Sequence, residues 1–208
     1  NKIKLVNTNV DTPDFILDTV NIVEKDSLSL TIRLTEAERV AGILRSGTSG
    51  GDGVPLVAVV ETGALYDIGV NPNFAGELNI LEEADTIPPT PIGAEINLTD
   101  GRIFLNFSET IRVEDVTQYN MGQVFLADIS GSKNISLEDA TAMLAISTKL
   151  EVVLTELERV KAIQHSSTPG GDGLPMVLDV YVGAFLDVAL NNNTESLGVP
   201  LVEHRDVL

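Results

Sequence analysis

The amino-acid sequence predicts an all-β protein built from tandem β-sandwich domains, each with a short helical turn. Alternating hydrophobic and polar residues recur in short runs, about every ten residues, and Gly, Pro, Asn and Asp separate the runs. This spacing is typical of sandwiches made of short antiparallel strands. In addition, one half of the chain repeats the other, which indicates two similar domains rather than one large fold.

The internal repeat has a constant offset of 120 residues, as between Thr35 and Thr155. Three stretches return with few changes: 34–40 at 154–160, 50–55 at 170–175, and 63–67 at 183–187. In the first two pairs LTEAERV becomes LTELERV and GGDGVP becomes GGDGLP. Because no gap interrupts the match, we expect residues 203–208 to correspond to residues 83–88. The period is that of a small domain and is too long for a solenoid repeat.

Charge and composition exclude several classes of function. The 208 residues include 31 acidic and 13 basic side chains, which give a formal net charge of -18. We expect no nucleic-acid binding, because phosphates attract Lys and Arg. No apolar run reaches the length of a transmembrane helix, so we expect no membrane insertion. The chain has no cysteine, so disulfides and thiolate zinc sites are impossible.

Residues 1–85 form the first predicted unit. Hydrophobic and polar residues alternate over 2–6 and again over 28–34, which predicts two half-buried strands. The mixed stretch at 15–23, between these strands, is interpreted as a short strand with turns. Two more strands are predicted at 55–60 and 78–81, after the glycine-rich loop at 50–53.

A short helix is predicted after the strand at 28–34. Thr35 stands where an N-cap residue is expected, since acidic residues follow it and then hydrophobic residues at helical spacing. Ser46 and Gly47 close the helix. Residues 50–53, with the sequence GGDG, form a flexible loop before the next strand.

Residues 86–208 form the second predicted unit, and this one is complete. The proline-rich stretch 85–91 is predicted to be a short, semi-rigid linker. Two strands without an upstream counterpart follow at 92–98 and 103–107, joined by a hairpin turn at Asp100-Gly101. A strand at 124–129 corresponds to the opening strand of the first unit, within one residue.

The first unit therefore lacks the two strands that residues 92–107 supply to the second. A sheet without these strands exposes backbone polar groups and part of its hydrophobic core. Either matching strands lie upstream in a longer precursor, or a neighbouring chain donates them to residues 1–85. We favour a longer precursor, and Asn1, which is not an initiator methionine, agrees with it.

Four stretches of the second unit carry a family resemblance. They are DTIPPT at 85–90, GRIFLNFSETI at 101–111, LTELERVKAI at 154–163 and GAFLD at 183–187. Together they resemble bacterial-type Ig-like repeats, which occur in tandem arrays on large secreted or surface-attached proteins of algae, other aquatic protists and bacteria. The resemblance implies an Ig-like β-sandwich for each unit and a location outside the cell or at its surface. Here the GGDG loop is longer than in the usual pattern, so its role is open.

No catalytic residue is predicted. His165 and His204 have no Ser or Cys partner in a recognisable nucleophile setting. Neither is repeated in the first unit, where Arg45 and Ala84 stand instead, and a repeated site would repeat its residues. We expect both histidines to lie at the surface and the chain not to be an enzyme.

Calcium is the main ligand hypothesis. Ca²⁺ prefers carboxylate, amide and carbonyl oxygens presented by loops. The candidates lie in the two GGDG loops and in a repeated acidic turn, and they are Asp52, Asp172, Asp67, Asn71, Asp187 and Asn191. They match neither an EF-hand nor the nine-residue calcium repeat. Turn formation without a metal explains the same residues and is favoured, and no other cofactor is predicted.

Four Asn-x-Ser/Thr triplets are candidate acceptors of N-linked sugars. Their asparagines are Asn97, Asn106, Asn134 and Asn192. Such triplets are glycosylated on the surfaces of secreted eukaryotic proteins. Asn106 has additional support, because it points away from the core face of its predicted strand.

These features predict a non-enzymatic structural or adhesive repeat unit of an extracellular array or filament. Its partners would be neighbouring repeats or other copies of the chain. One alternative is a carbohydrate- or protein-binding module that uses the loops at 46–53 and 166–173, although these contain no Trp or Tyr to stack on a sugar. A third alternative is an accessory domain of a secreted enzyme.

Overall fold

The computed structural model is mostly β, as predicted, with 42% strand, 11% helix and two helices. It describes residues 2–7, 15–17, 21–22, 28–129 and 134–207. The sheets form a sandwich-like or half-barrel arrangement. The chain divides into two units, Asn1–Thr86 and Ile87–Leu208.

The first unit contains short strands and one helix. In the part that the structure describes these are β1 (Ile3–Asn7), β2 (Phe15–Ile16), β3 (Asn21–Ile22), β4 (Ile32–Arg33), α1 (Glu36–Ile43), β5 (Leu56–Val60) and β6 (Gly76–Asn79). Four strands form an antiparallel sheet in the order β2-β1-β5-β6, and β3 pairs with β4 in a separate two-stranded sheet.

The strand predicted over residues 28–34 is wrong for most of its length. Only Ile32–Arg33 is a strand, and Leu28 and Leu30 are exposed. The alternating pattern is present in the sequence, but a strand also needs a hydrogen-bonded neighbour. Here β4 has a two-residue pairing with β3, which is too short to hold a longer strand. The strand predicted at 15–23 lies partly outside the described residues, and β2 and β3 occupy its ends.

The second unit contains β7 (Pro91–Asn97), β8 (Arg102–Val113), a 3₁₀ turn (Met121–Gln123), β9 (Val124–Asp128), β10 (Asn134–Ser136), β11 (Thr141–Ala142), β12 (Ala145–Val153), α2 (Glu156–Gln164), β13 (Met176–Val180) and β14 (Ser196–His204). Eight strands pair in the order β10-β9-β13-β14-β7-β8-β12-β11. The pair β14 and β7 is parallel, and the other pairs are antiparallel.

The β7–β8 hairpin joins the two halves of this sheet. The first part of β14 pairs with β13, and its last part, from Leu201 to His204, pairs with β7. On the other side of the hairpin, β8 pairs with β12 along most of its length. The predicted turn at Asp100-Gly101 is confirmed, and Gly101 adopts a left-handed conformation with φ of 69°.

The hydrophobic core of the second unit lies against the hairpin. The inward-facing residues of β8 include Ile103, Leu105 and Phe107, all of which are buried. The ring of Phe107 packs edge to face on that of Phe185, with 5.4 Å between the ring centres. Burial of each such side chain contributes about 1.5–3 kcal/mol, so this hairpin contributes much of the core energy.

The first helix follows the predicted N-cap, Thr35, and the second follows the equivalent residue, Thr155. The backbone N–H of Glu38 donates to the Thr35 hydroxyl at 3.3 Å, and the Glu38 carboxylate accepts from the Thr35 N–H at 2.8 Å. Thr155 and Glu158 repeat both contacts. This reciprocal capping box satisfies amides that the first helical turn leaves unpaired. No helix among the described residues is long and apolar enough to cross a membrane.

Candidate functional site

The glycine-rich loops are compact turns between each helix and the following strand. At Gly51 a side chain cannot be accommodated, because its Cβ would lie 2.1 Å from the carbonyl oxygen of Ser46. The same distance separates a Cβ on Gly171 from the oxygen of Ser166. The glycines on either side have positive φ values of 84–97°. The GGDG sequence is therefore explained by backbone geometry.

Asp52 and Asp172, the candidate calcium ligands in these loops, cap the turns. Asp52 accepts from the backbone N–H of Val54 at 3.0 Å, and Asp172 accepts from that of Leu174 at 3.0 Å. The second carboxylate oxygen of Asp52 accepts from the Asn7 amide at 2.6 Å. This is the turn chemistry that Asp provides without a metal.

The other candidate ligands form a second pair of loops. Asp67 accepts from the backbone N–H of Asn71 at 2.8 Å and from its side-chain amide at 2.9 Å. Asp187 and Asn191 repeat these contacts at 2.7 and 2.9 Å. These bonds, the side-chain amide of Asn71 first, lower the pKa of Asp67 below its ordinary value. The asparagine of each loop thus orients its aspartate, and in the first unit it also lowers the pKa of Asp67.

A left-handed residue closes each of these loops. Val70 has φ of 63° and Leu190 has φ of 70°, which is rare for residues other than glycine. The N–H of Val70 donates to the carbonyl of Asp67 at 2.9 Å, and the N–H of Leu190 to that of Asp187 at 3.2 Å. The Asp–Asn bonds hold the backbone in this costly conformation.

The two sets of candidate calcium ligands do not meet. In the first unit Asp52 precedes β5 and Asp67 follows it, and five strand residues span about 16 Å. Asp172 and Asp187 flank β13 in the same way. One ion therefore cannot bind both. Calcium binding at either loop stays a prediction.

Asn73 and Asn193 were missed in the sequence. The Asn193 side chain is buried, accepts from the Phe185 N–H at 2.9 Å, and donates to the carbonyls of Tyr181 and Thr194 at 3.0 and 2.8 Å. Asn73 makes the corresponding three bonds. Identity at both positions of the repeat was the signal that could have found them.

A glutamate holds the end of each unit against the glycine-rich loop. Glu82 accepts from the N–H groups of Gly47 and Leu56, both at 2.9 Å. Glu203 accepts from the corresponding groups of the second unit at 2.8 and 2.6 Å.

An arginine of each helix also contacts the end of its unit. Arg39 contacts both Glu36 and Asp85. Arg159 likewise contacts Glu156 and Asp206.

These contacts correct the expected correspondence at the end of the units. Glu203 matches Glu82, not Glu83, so the offset there is 121 residues rather than 120. The additional residue enters at a β-bulge, where Leu197 and Gly198 lie opposite Asp179 of β13. In the first unit one residue occupies this place, because β6 pairs with β5 without a shift in register.

The two histidines contact one carboxylate each. His165 Nδ1 lies 3.6 Å from Asp172, and His204 Nε2 lies 3.5 Å from Glu95. The side chain of His204 is exposed and that of His165 is half-buried. Because of the bulge, the counterpart of His204 is Glu83 rather than Ala84. Neither contact assembles a nucleophile with a base. That the chain is not an enzyme stays a prediction.

The candidate glycosylation sites differ in exposure. Asn134, in β10, and Asn192, beside the second acidic loop, are exposed. Asn106 is half-buried, with both neighbouring strands paired beside it, and Asn97 accepts from the Thr99 N–H at 3.0 Å. A glycan is therefore expected first at the two exposed positions.

An open groove of about 670 Å³ lies at one end of the second unit. Its lining comes from the start and end of the unit and from the loop at 166–173, and consists of Asn97, Thr99, Thr168, Pro169, Glu203, His204, Arg205 and Val207. It contains a cation, a carboxylate and an imidazole but no Phe, Tyr or Trp.

Comparison of the chain with protein-family models, with curated proteins and with solved structures found no match.

Proposed function

We propose that the chain is part of an extracellular array of Ig-like β-sandwich repeats, which serves as a spacer, an adhesive stalk or a building block of a surface filament. One observation carries the proposal. From β1 and from β9 onward, the two units share not only their order of strands and helix but also individual hydrogen bonds, such as those of Glu82 and Glu203. The polar groups that are repeated hold turns and helix ends, which supports a structural role.

The surface of the chain agrees with such a role. Its net charge of -18 keeps neighbouring copies soluble and disfavours binding to nucleic acid. The exposed asparagines Asn134 and Asn192 would carry sugars if the protein is secreted by a eukaryote. The partners would be neighbouring repeats or other copies. Titration calorimetry tests the predicted calcium binding at the candidate loops.

Antibodies raised against the full chain test the location and the assembly together. On unpermeabilised cells that make the protein, they should label the outer surface, and gold-labelled antibodies should decorate filaments or a coat at repeated intervals. Labelling that needs permeabilised cells would refute the proposal. Isolated labelling outside the cell, without repeated spacing, would contradict the array.

A binding module of a secreted protein is the second candidate, and the open groove favours it. The groove lies beside the loop at 166–173, and Arg205 and His204 offer donors for carboxylate or hydroxyl groups. Binding to a glycan array that is lost in His204→Ala, but kept in Arg33→Ala outside the groove, would support this function instead.

A further inference from the structure

The first unit lacks a hairpin that the second unit contains, and the structure shows where it belongs. In the second unit β7 and β8 lie between β14 and β12. In the first unit the counterparts of β14 and β12 are β6 and β4, which belong to two different sheets. The strands of the first unit therefore form two separate sheets, and the break between them is at the position that the hairpin occupies in the second unit.

The strands on both sides of this place are shorter in the first unit. There β6 has four residues, whereas β14 has nine and continues along β7. Similarly, β4 has two residues, whereas β12 has nine and pairs with β8. Since strand length follows from hydrogen bonding to a neighbour, these strands end early where the hairpin would have paired with them.

Hydrophobic side chains beside this place are exposed in the first unit and buried in the second. Leu30 is 38% exposed and its counterpart Leu150 is fully buried. Ile68 is 90% exposed, whereas Val188 is fully buried. The same contrast holds for Leu65 against Phe185 and for Leu78 against Val199. We name these four exposed side chains, Leu30, Leu65, Ile68 and Leu78, the open face, because their counterparts are buried in the second unit.

In the second unit the second strand of the hairpin, β8, covers the equivalent residues. Phe107 packs on Phe185, the N–H of Arg112 donates to the carbonyl of Leu186 at 2.9 Å, and Ile111 forms a bridge with Asp187. An exposed apolar surface of this kind marks a site of interaction. The occupant that fits it is a hairpin with the pattern of β7 and β8.

A second copy of the chain does not supply this hairpin. Each chain has two places for a hairpin and, in the part that the structure describes, one hairpin of this pattern, which its own second unit uses. Exchange between copies would fill one place and empty another, so it gains no burial. The order of elements also places the hairpin ahead of β1, as β7 and β8 stand ahead of β9.

We propose that a β-hairpin with the residue pattern of Pro91–Val113, carried by the polypeptide directly ahead of Asn1, occupies the open face between β6 and β4. Its first strand pairs in parallel with the extension of β6, and its second strand pairs antiparallel with β4. The similarity of the two units carries this assignment, whatever the function of the chain.

An extended chain tests the proposal. Ile3 pairs with Val60 and Val124 pairs with Val180, so Ile3 corresponds to Val124 and residue 1 corresponds to residue 122. The added segment therefore ends at residue 121. Residues 87–121 are therefore added directly before the full chain. Amide hydrogen exchange in residues 28–33 and 76–81 should slow about tenfold or more, because these backbone groups gain partners. The matched control carries Ile103→Asn and Leu105→Asn in the added segment and should not slow exchange.

The outcomes separate the possible occupants. Unchanged exchange in the extended chain, or equal slowing with the Asn-substituted segment, overturns the proposal. Light scattering that finds the original chain dimeric, with the same segments protected, also overturns it, because a second copy then fills the open face. If the extended chain does not fold, a synthetic peptide of residues 87–121 is added to the original chain, and the same slowing of exchange is expected.

Discussion

A single asparagine in each unit, Asn73 or Asn193, holds the loop that follows β5 or β13. Asn193 satisfies one donor and two acceptors of the backbone with one side chain and has almost no contact with water. Side chains with this combination of donors and acceptors are limited to Asn and Gln. The neighbouring Asn192, by contrast, is exposed.

Asn193→Ala should lower the free energy of unfolding of the second unit by about 3 kcal/mol, since three hydrogen bonds of about 1 kcal/mol each are lost. Denaturant unfolding of the full chain measures this. The matched control Asn192→Ala should change it by less than about 0.5 kcal/mol. Equal effects of the two substitutions would show that the loop does not depend on the buried amide.

Asn71 should control the ionisation of Asp67. The pKa of Asp67 is lowered mainly by the side-chain amide of Asn71, so the contribution of Asp67 to stability is present above its unfolded pKa and is lost as the pH falls through its folded pKa. Asn71→Ala should raise the pKa of Asp67 toward the ordinary value. A carboxyl NMR titration measures the change.

Asp115 provides the internal reference for this titration. Its pKa is also lowered, but by hydrogen bonds from Thr117. It should therefore titrate at the same pH in the Asn71→Ala variant. If Asp67 titrates unchanged while its loop stays folded, the amide of Asn71 is not the cause of the low pKa.

The β-bulge in β14 has no equivalent in β6, the corresponding strand of the first unit. Gly198 has φ of 70°, and its N–H donates to the Asp179 carboxylate at 2.7 Å. The bulge lies within the part of β14 that pairs with β13, and pairing with β7 begins at Leu201. It also shifts Glu203 into reach of the loop that it holds.

Gly198→Ala should destabilise the second unit by about 1 kcal/mol, because a Cβ disfavours the left-handed conformation. No atom lies within 4 Å of that Cβ, so a clash adds nothing. Gly198→Asn should cost less, since Asn tolerates positive φ. Thermal unfolding ranks the variants, and an equal loss for Ala and Asn would mean that φ is not the deciding factor. Gly93→Ala, with ordinary φ and open space, is the control.

The two units differ in how much of their apolar surface is buried. Among the described residues of the first unit, Leu17 and Leu56 are the buried hydrophobic side chains, whereas the second unit has a continuous core. The difference follows from the hairpin, which covers one side of the second unit. We therefore expect the second unit to be more stable than the first, although their local sequences are similar.

Amide exchange should show this difference between equivalent strands. Amides of β13 should exchange on the order of a hundredfold more slowly than those of β5, because β13 belongs to the complete core and opens only with the whole unit. Mass spectrometry of exchanged full-length chain compares peptides from the two strands in one sample. Equal protection of β5 and β13 would contradict the dependence on the hairpin.

The amino-acid sequence by itself predicted the features that depend on near neighbours or on comparison of the chain with itself. Thr35 and Thr155 were recognisable as helix caps because a capping box spans four residues. The turn at Asp100-Gly101 was recognisable because its conformation depends on two residues. The internal repeat also predicted that the first unit lacks the two strands that residues 92–107 supply to the second.

Contacts between distant residues could be seen only in the folded chain. The pattern at 28–34 predicts a strand, but whether it forms depends on a partner that lies elsewhere in sequence. The bulge at Gly198 changes which glutamate meets the loop, although the residue identities suggested an uninterrupted match. Likewise, Asp52 and Asp67 are similar as calcium ligands, yet a whole strand separates them. Strand pairing joins residues far apart in the chain, and its register is set by the packing of the whole sheet.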